Sequence, residues 1–220
     1  MPAPAAPRPP VRGVSDKRRA ILDAALRLIA RAGLHDAPMS ALAQNAGVGA
    51  GTVYRYFPSK AALVNALYLE LLEARGRALR GDGGAAPTEP AGTSETSADP
   101  RALLSAAWHG LARWHLDHPE ASNFVQQCRA TGILTGETRA AEQRLEMSDL
   151  AAFDAGVAHG LLRPMSRQVF YALFAGPITQ LVQMRDAGEL DVAPEVLRAT
   201  FDGVCRTILP ALPALRPELP

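Results

Sequence analysis

The sequence predicts an all-α fold in two parts: an N-terminal three-helix domain built around a helix-turn-helix, and a larger C-terminal helical body. Three observations point there. Apolar residues recur at three- and four-residue spacings through most of the chain and nowhere alternate over a strand's length. The periodic stretches are separated by glycine and proline, which end helices. Positive charge is gathered at one end: residues 1–72 carry nine Lys/Arg against four Asp/Glu, and the remainder carries 14 against 18. Neutralising phosphates requires clustered cations, so only the first part is expected to meet a polyanion. A solvated, charge-laced helix surface gives the same asymmetry, so charge alone does not decide the matter.

The elements follow in order. Residues 1–14 hold a proline cluster with Arg8 and Arg12 and no apolar period, and are expected to be a disordered basic arm. Residues 15–72 form the first domain. Ser15 can cap a helix whose apolar face is Ile21, Ala24, Ala25, Leu28 and Ala32, with Asp23 and Arg27 one turn apart on the other face and Gly33 as the stop. Met39, Leu42, Ala43 and Ala46 mark a short second helix ending at Gly47. A third runs from about Gly49 to Phe57 and is closed by Pro58-Ser59, where Ser59 caps a fourth helix through Leu63, Leu67 and Leu71 that leads to the body.

Residues 81–100, GDGGAAPTEPAGTSETSADP, contain no large apolar side chain that could offset the entropy of ordering. They are expected as a flexible linker or loop with a coil reach of about 22–27 Å. The body, 101–210, has periodic stretches at 101–118, 119–131, 137–160, 166–187 and 193–209, and residues 211–220 form a Pro-rich tail.

With 220 residues, 48% of them apolar, the chain can bury a sizeable core. Its longest apolar run, from Val169 to Val182, is broken by a Gly-Pro pair and Gln180, short of the about 20 residues that span a bilayer, so no membrane partner is expected. The opening MPAPAAPRPP lacks the apolar core of an export signal, and a cytoplasmic location is the expectation. Cys128 and Cys205 are too few for a disulfide scaffold and are expected as buried thiols. No Gly-x-Ser-x-Gly elbow, phosphate-binding loop, His-Glu-x-x-His pair or βαβ pattern is present, so neither an enzyme nor a cofactor is expected.

The stretch from Met39 to Pro58, MSALAQNAGVGAGTVYRYFP, has the logic of a helix-turn-helix. Two short helices crossing steeply need a small residue at the crossing, Ala43, and a residue able to take positive φ four positions later, Gly47. Leu42, Val48 and Val53 supply the apolar contacts between the helices. The second helix opens with Gly49-Ala50-Gly51-Thr52, whose small groups let backbone approach bases or phosphate closely. Thr52, Tyr54, Arg55, Tyr56 and Lys60 then form a dense set of hydroxyl and cationic donors suited to phosphate oxygens.

The block Ala46-Gly47-Val48-Gly49-Ala50-Gly51-Thr52-Val53-Tyr54-Arg55-Tyr56-Phe57-Pro58-Ser59-Lys60-Ala61-Ala62-Leu63, preceded by Leu42-Ala43 and by RAILDAA at 19–25, strongly resembles the DNA-binding domain of the tetracycline-repressor (TetR) family of bacterial regulators. The resemblance covers residues 15–72. It implies a homodimer of all-α subunits, each with a DNA-binding head and a helical body that binds a small molecule and dimerises through its last two long helices, here 166–187 and 193–209. By position in the motif, Thr52, Tyr54, Tyr56 and Lys60 would hold backbone phosphates of a double-stranded operator, while Gly49, Ala50 and Arg55 would face the major groove. Arg12 in the arm and Lys17 on the first helix complete the expected DNA contacts. Two departures stand out: Ala37-Pro38 replaces a frequent hydroxyl residue at the start of the second helix, and Gly49 and Ala50 offer no base-reading side chain. Sequence preference is then expected to lean on Arg55, on Ala50 against a thymine methyl, and on DNA shape.

For the implied ligand, Trp108, Trp114, Phe124, Phe153, Tyr171 and Phe174 are candidate apolar walls, with His115, Gln127 and Gln180 as polar orienting groups. Taken singly, each is more often an ordinary core residue than a ligand contact. His109, His115 and His118 with Asp117, Glu120 and Cys128 raise a metal-sensing alternative, but the helix breaks at Pro119 and a helix's last turn favours histidine without any metal. The reading is a ligand-released repressor. Its alternatives are a constitutive DNA-binding protein and a metal- or redox-sensing regulator.

Overall fold

A computed structural model of the chain describes residues 14–79, 100–149 and 151–210. The expected basic arm with Arg12, nearly all of the 81–100 segment and the 211–220 tail lie outside the described residues. All regular structure among the described residues is helical: α1 (Val14–Ala32), α2 (Met39–Ala46), α3 (Ala50–Tyr56), α4 (Lys60–Leu79), α5 (Pro100–Asp117), α6 (Pro119–Ala130), α7 (Gly136–Asp149), α8 (Ala151–Ala158), α9 (Arg167–Asp186) and α10 (Pro194–Ile208). Asp23 pairs with Arg19 one turn before it, at 2.9 Å, rather than with Arg27.

The chain divides into two compact units that do not follow its order. The first takes the described residues up to Glu73 together with His118–Gln143; the second takes those from Ala74 to Asp117 and from Arg144 onward. The body expected at 101–210 is therefore not one piece, because α6 and the start of α7 belong with the helix-turn-helix. An apolar stripe records that a helix face is buried but not against which partner.

In the first unit, α1 packs against both α2 and α6. Ile21, Ala25 and Ile29 of α1, Leu42 of α2, Val53 of α3, Leu63 and Val64 of α4, and Phe124 and Cys128 of α6 are all about as inaccessible as a core allows. Two amides on α6 reach carbonyls at the end of α1, that of Ile29 also accepting the Gly33 N–H at 2.9 Å. Asn123 Nδ2 donates to the Ala30 carbonyl at 3.3 Å, and Gln127 Nε2 donates to that of Ile29 at 3.3 Å.

In the second unit α5 packs on α9 and α10, which also pack on each other. The core is aromatic: Trp108, Phe153, Phe170, Phe174 and Phe201 are buried together with Ile178 and Ile208. The Phe153 and Phe170 rings lie 4.8 Å apart and those of Phe170 and Phe174 5.4 Å. Ser166 caps α9 by accepting the Val169 N–H. Pro177 stands inside α9 and can give the Leu173 carbonyl no hydrogen. One residue along, the Trp108 indole N–H donates to the Phe174 carbonyl at 2.9 Å.

Candidate nucleic-acid interface

The turn between α2 and α3 is built as the spacing predicts. Gly47 takes φ 67° and ψ 32°, a left-handed conformation that side chains with a Cβ adopt only under strain. The Val48 N–H reaches back to the Ala43 carbonyl at 3.0 Å, closing the end of α2. Ala43 is 3% exposed at the crossing. Pro38 falls one position earlier than a first helical turn: it is the residue before α2, extended, so α2 starts without a side-chain cap.

Helix α3 is pinned from beneath by Val53, which is fully buried, and ends on the buried Phe57. Its other faces look outward. Gly49, Ala50, Gly51, Tyr54 and Arg55 are exposed, and Thr52 and Tyr56 are half-buried. Arg55 stands over the Tyr56 ring at 5.5 Å, an arrangement that orders both side chains at the surface. A Cβ added at Gly49 or Gly51 would meet no atom of the protein within 4 Å, and neither residue has a positive φ. The protein's own packing gives no reason for these two residues to be small.

Ser59 Oγ accepts the Ala62 N–H at 3.1 Å and so caps α4, as expected, which fixes Lys60 in the first turn. The Lys60 ammonium donates to the His35 carbonyl at 3.4 Å. Partial burial pulls its pKa below the ordinary lysine value, and the Asp36 carboxylate opposes that shift. Lys17 lies half-buried on α1. On the same helix Arg18 pairs with Glu70 at 2.5 Å and stands over the Phe57 ring at 5.6 Å, joining α1 to α4 beside the end of α3.

Sequence reasoning passed over the groups that complete this unit. Asn65 of α4 is buried; its amide donates to the Ala61 and Ile133 carbonyls and accepts the Thr135 N–H, tethering the segment between α6 and α7. The Tyr68 hydroxyl donates to Glu142 Oε1 at 2.5 Å and accepts from Arg129 Nε at 3.0 Å, while Arg129 also pairs with Glu142. Burial holds the Tyr68 phenol far above its usual pKa. The available signal was register: Tyr68 stands one turn from both Val64 and Leu72 on the buried stripe of α4.

The nine residues expected to line a ligand pocket are divided between the two units, seven in the second and two in the first. Trp108, Phe153 and Phe174 are buried in the core of the second unit, and Tyr171 packs against it. Trp114 and His115 are buried side by side on α5 with ring centres 5.0 Å apart. Phe124 and Gln127 belong to the first unit instead, Phe124 as core and Gln127 engaged with the end of α1. Gln180 is exposed. A surface notch of about 410 Å³ in the second unit, edged by Arg101, His109, Arg198 and Asp202, includes none of the nine.

His109 Nδ1 lies 2.8 Å from the Ser105 carbonyl oxygen, and His118 precedes α6 in the other unit. Among the described residues, no three His, Cys, Asp or Glu side chains converge to hold a metal. Cys128 and Cys205 are buried, and burial pushes the Cys128 thiol up to about 12. No described helix is long and apolar enough to cross a membrane.

The fold and the head together define an all-helical protein with an N-terminal helix-turn-helix. Residues 21–67 of the chain match the model of the tetR family of bacterial regulatory proteins. Over 65 residues it is 45% identical to the HTH-type transcriptional repressor KstR of Rhodococcus jostii, which covers 28% of this chain and 31% of that protein. KstR of Mycolicibacterium smegmatis is 47% identical over 49 residues, 22% of this chain and 24% of its own length. The match thus spans a third or less of the curated relatives. The fold extends further: a TetR family transcription regulator from Marinobacter aquaeolei superposes with a TM-score of 0.72 at 23% identity, over 88% of this chain and 95% of that one. A putative TetR family regulator from Vibrio parahaemolyticus gives 0.68 at 24% identity, over 89% and 100%.

Proposed function

We propose that this protein is a sequence-specific, DNA-binding transcriptional repressor of the cytoplasm, acting as a homodimer and released from its operator by a small molecule. One observation carries the reading. The exposed start of α3 has two glycines that nothing inside the protein requires, Gly49 just before the helix and Gly51 in its first turn, followed by Thr52, Tyr54, Arg55 and Tyr56. Small residues there leave room for DNA backbone, and the hydroxyl and cationic groups beyond supply its donors. Both KstR relatives are transcriptional repressors, which favours repression as the sign of regulation.

Dimerisation through α9 and α10 would set two recognition helices about 34–36 Å apart, one DNA turn, over a near-palindromic site. A ligand that prefers a different spacing then releases the operator, with a coupling of about 1–3 kcal/mol typical of such devices.

The test is selection of genomic fragments by the purified protein, followed by titration of the best fragment across salt concentrations. The expected result is a palindromic consensus bound far more tightly than bulk DNA, with a mass in solution of two chains. Uniform, purely salt-driven binding would overturn the reading in favour of a constitutive, non-specific DNA-binding protein.

A further inference from the structure

Arg75 is the one place in the described second unit where a charge is buried without an answering charge. It lies near the end of α4, on the stripe formed by Val64, Tyr68 and Leu72, and is 3% exposed. Its sole described partner is the Tyr171 hydroxyl, 3.5 Å from one terminal nitrogen, at the outer limit of a hydrogen bond. The Nε–H is buried and meets no acceptor. Arg129, which is more accessible, meets the Glu142 carboxylate directly; Arg75 forms no ion pair with any described residue.

A guanidinium cannot escape burial by giving up its proton, as a lysine or histidine can, so the charge and its five donors persist in the interior. Buried donors are almost always satisfied, so an unpartnered one calls for an acceptor that the described residues do not supply. The planar fork matches two oxygens of one anionic group. Beside it, Tyr171 adds a hydroxyl donor and packs against the aromatic core that contains Trp108, Phe170 and Phe174. We propose that Arg75 and Tyr171 bind the carboxylate or sulfonate of an amphipathic small molecule whose apolar part turns toward that aromatic cluster. This deepens the regulator reading by giving the released ligand a chemical class, and it is tested without DNA, so loss of operator binding and loss of anion binding are separate results.

The experiment uses full-length protein and two fluorescent probes of one shape, anilinonaphthalenesulfonate and its neutral analogue phenylnaphthylamine. The wild-type protein is expected to bind the sulfonate about tenfold or more tighter than the neutral dye, as a charge-assisted, bidentate contact implies. Arg75→Met should abolish that preference, leave the neutral dye within about twofold, and melt no lower than wild type, because it removes an unpaired buried charge. Tyr171→Phe should weaken sulfonate binding about threefold with the neutral dye unchanged, the effect of one lost hydroxyl donor, and it keeps the test open should Arg75→Met fail to fold. Equal affinity of the wild-type protein for both dyes, or binding of neither, overturns the proposal. So does a sulfonate preference that survives these substitutions, or a Met variant that loses both dyes and melts lower, which would make Arg75 a structural residue.

Discussion

Gln127 of α6 closes the end of α1 through Leu34, its Oε1 accepting the Leu34 N–H at 3.1 Å while its Nε2 donates to the Ile29 carbonyl at 3.3 Å. One amide thus answers the Leu34 donor beyond the break at Gly33 and adds a second hydrogen bond to the Ile29 carbonyl, which also accepts the Gly33 N–H at 2.9 Å. The contact spans 93 residues of sequence. Gln127→Ala should lower stability by about 1 kcal/mol, since the partly buried Leu34 N–H loses its partner while the Ile29 carbonyl keeps the Gly33 N–H. Gln127→Glu keeps the acceptor but sets a negative charge against the carbonyl end of a helix, so it should do no better near neutral pH. Urea unfolding of the two variants, with unchanged slope, checks both.

Gly51 gives a prediction of opposite sign for stability and function. A methyl group there meets no protein atom, and alanine favours the helix by about 0.5–1 kcal/mol over glycine. Gly51→Ala should therefore raise the melting temperature while weakening operator binding. A variant that gained stability and kept full affinity would show that DNA does not approach this turn.

Lys60 and Arg55 should separate positioning from reading. Lys60→Ala should weaken binding to every DNA sequence and flatten the salt slope by about one or two per dimer, whereas Arg55→Ala should change the preferred sequence. Both are read from titrations at several salt concentrations against operator and scrambled DNA.

The lowered pKa of Lys60 adds a pH dependence. Because the folded protein disfavours the charged form, its protonated state carries a stability penalty that is relieved as pH rises through the folded value toward that of the unfolded chain. DNA affinity moves the other way. It should begin to fall at a less alkaline pH than in a control that retains only ordinary exposed lysines, and Lys60→Arg should push that fall upward.

Cys128 should be inert in the native protein. With its thiol near 12, the thiolate at pH 8 is about one part in ten thousand, and the side chain is fully buried. Iodoacetamide should leave it unlabelled until urea is added, and rapid native labelling would reopen the redox-sensing alternative.

The helix-turn-helix was legible because its determinants are local. A small residue at the crossing, a left-handed turn four positions on and one buried valine lie within a dozen residues, and each has a steric reason. Ser59 was legible as a cap for the same reason. What escaped depends on partners far along the chain. The face of α6 that bears Phe124 and Cys128 looks like any buried face, and nothing in it tells that α1 is its partner. Asn65 and Arg75 were passed over because they are polar, although each sits among the buried residues of α4. The aromatic residues of the body were read correctly as buried, but apolar composition does not separate a packed core from a lined cavity.

The interleaving of the first unit bears on how the chain is made. A helix-turn-helix at the N-terminus is usually pictured as finishing its folding early, while the rest is still being translated. Here α1 and α4 find part of their burial only on α6 and α7, whose last contributing residue is Gln143. A nascent chain stopped after α4 would present Tyr68, Asn65 and the open end of α1 to water and to chaperones. Synthesis must pass through α5, part of the second unit, before the first can close, so the ribosome delivers the two units entangled in time. A DNA-binding fragment cut at residue 73 would then be a poor substitute for the whole protein, and one that also carried α6 and α7 would be the smaller piece worth expressing.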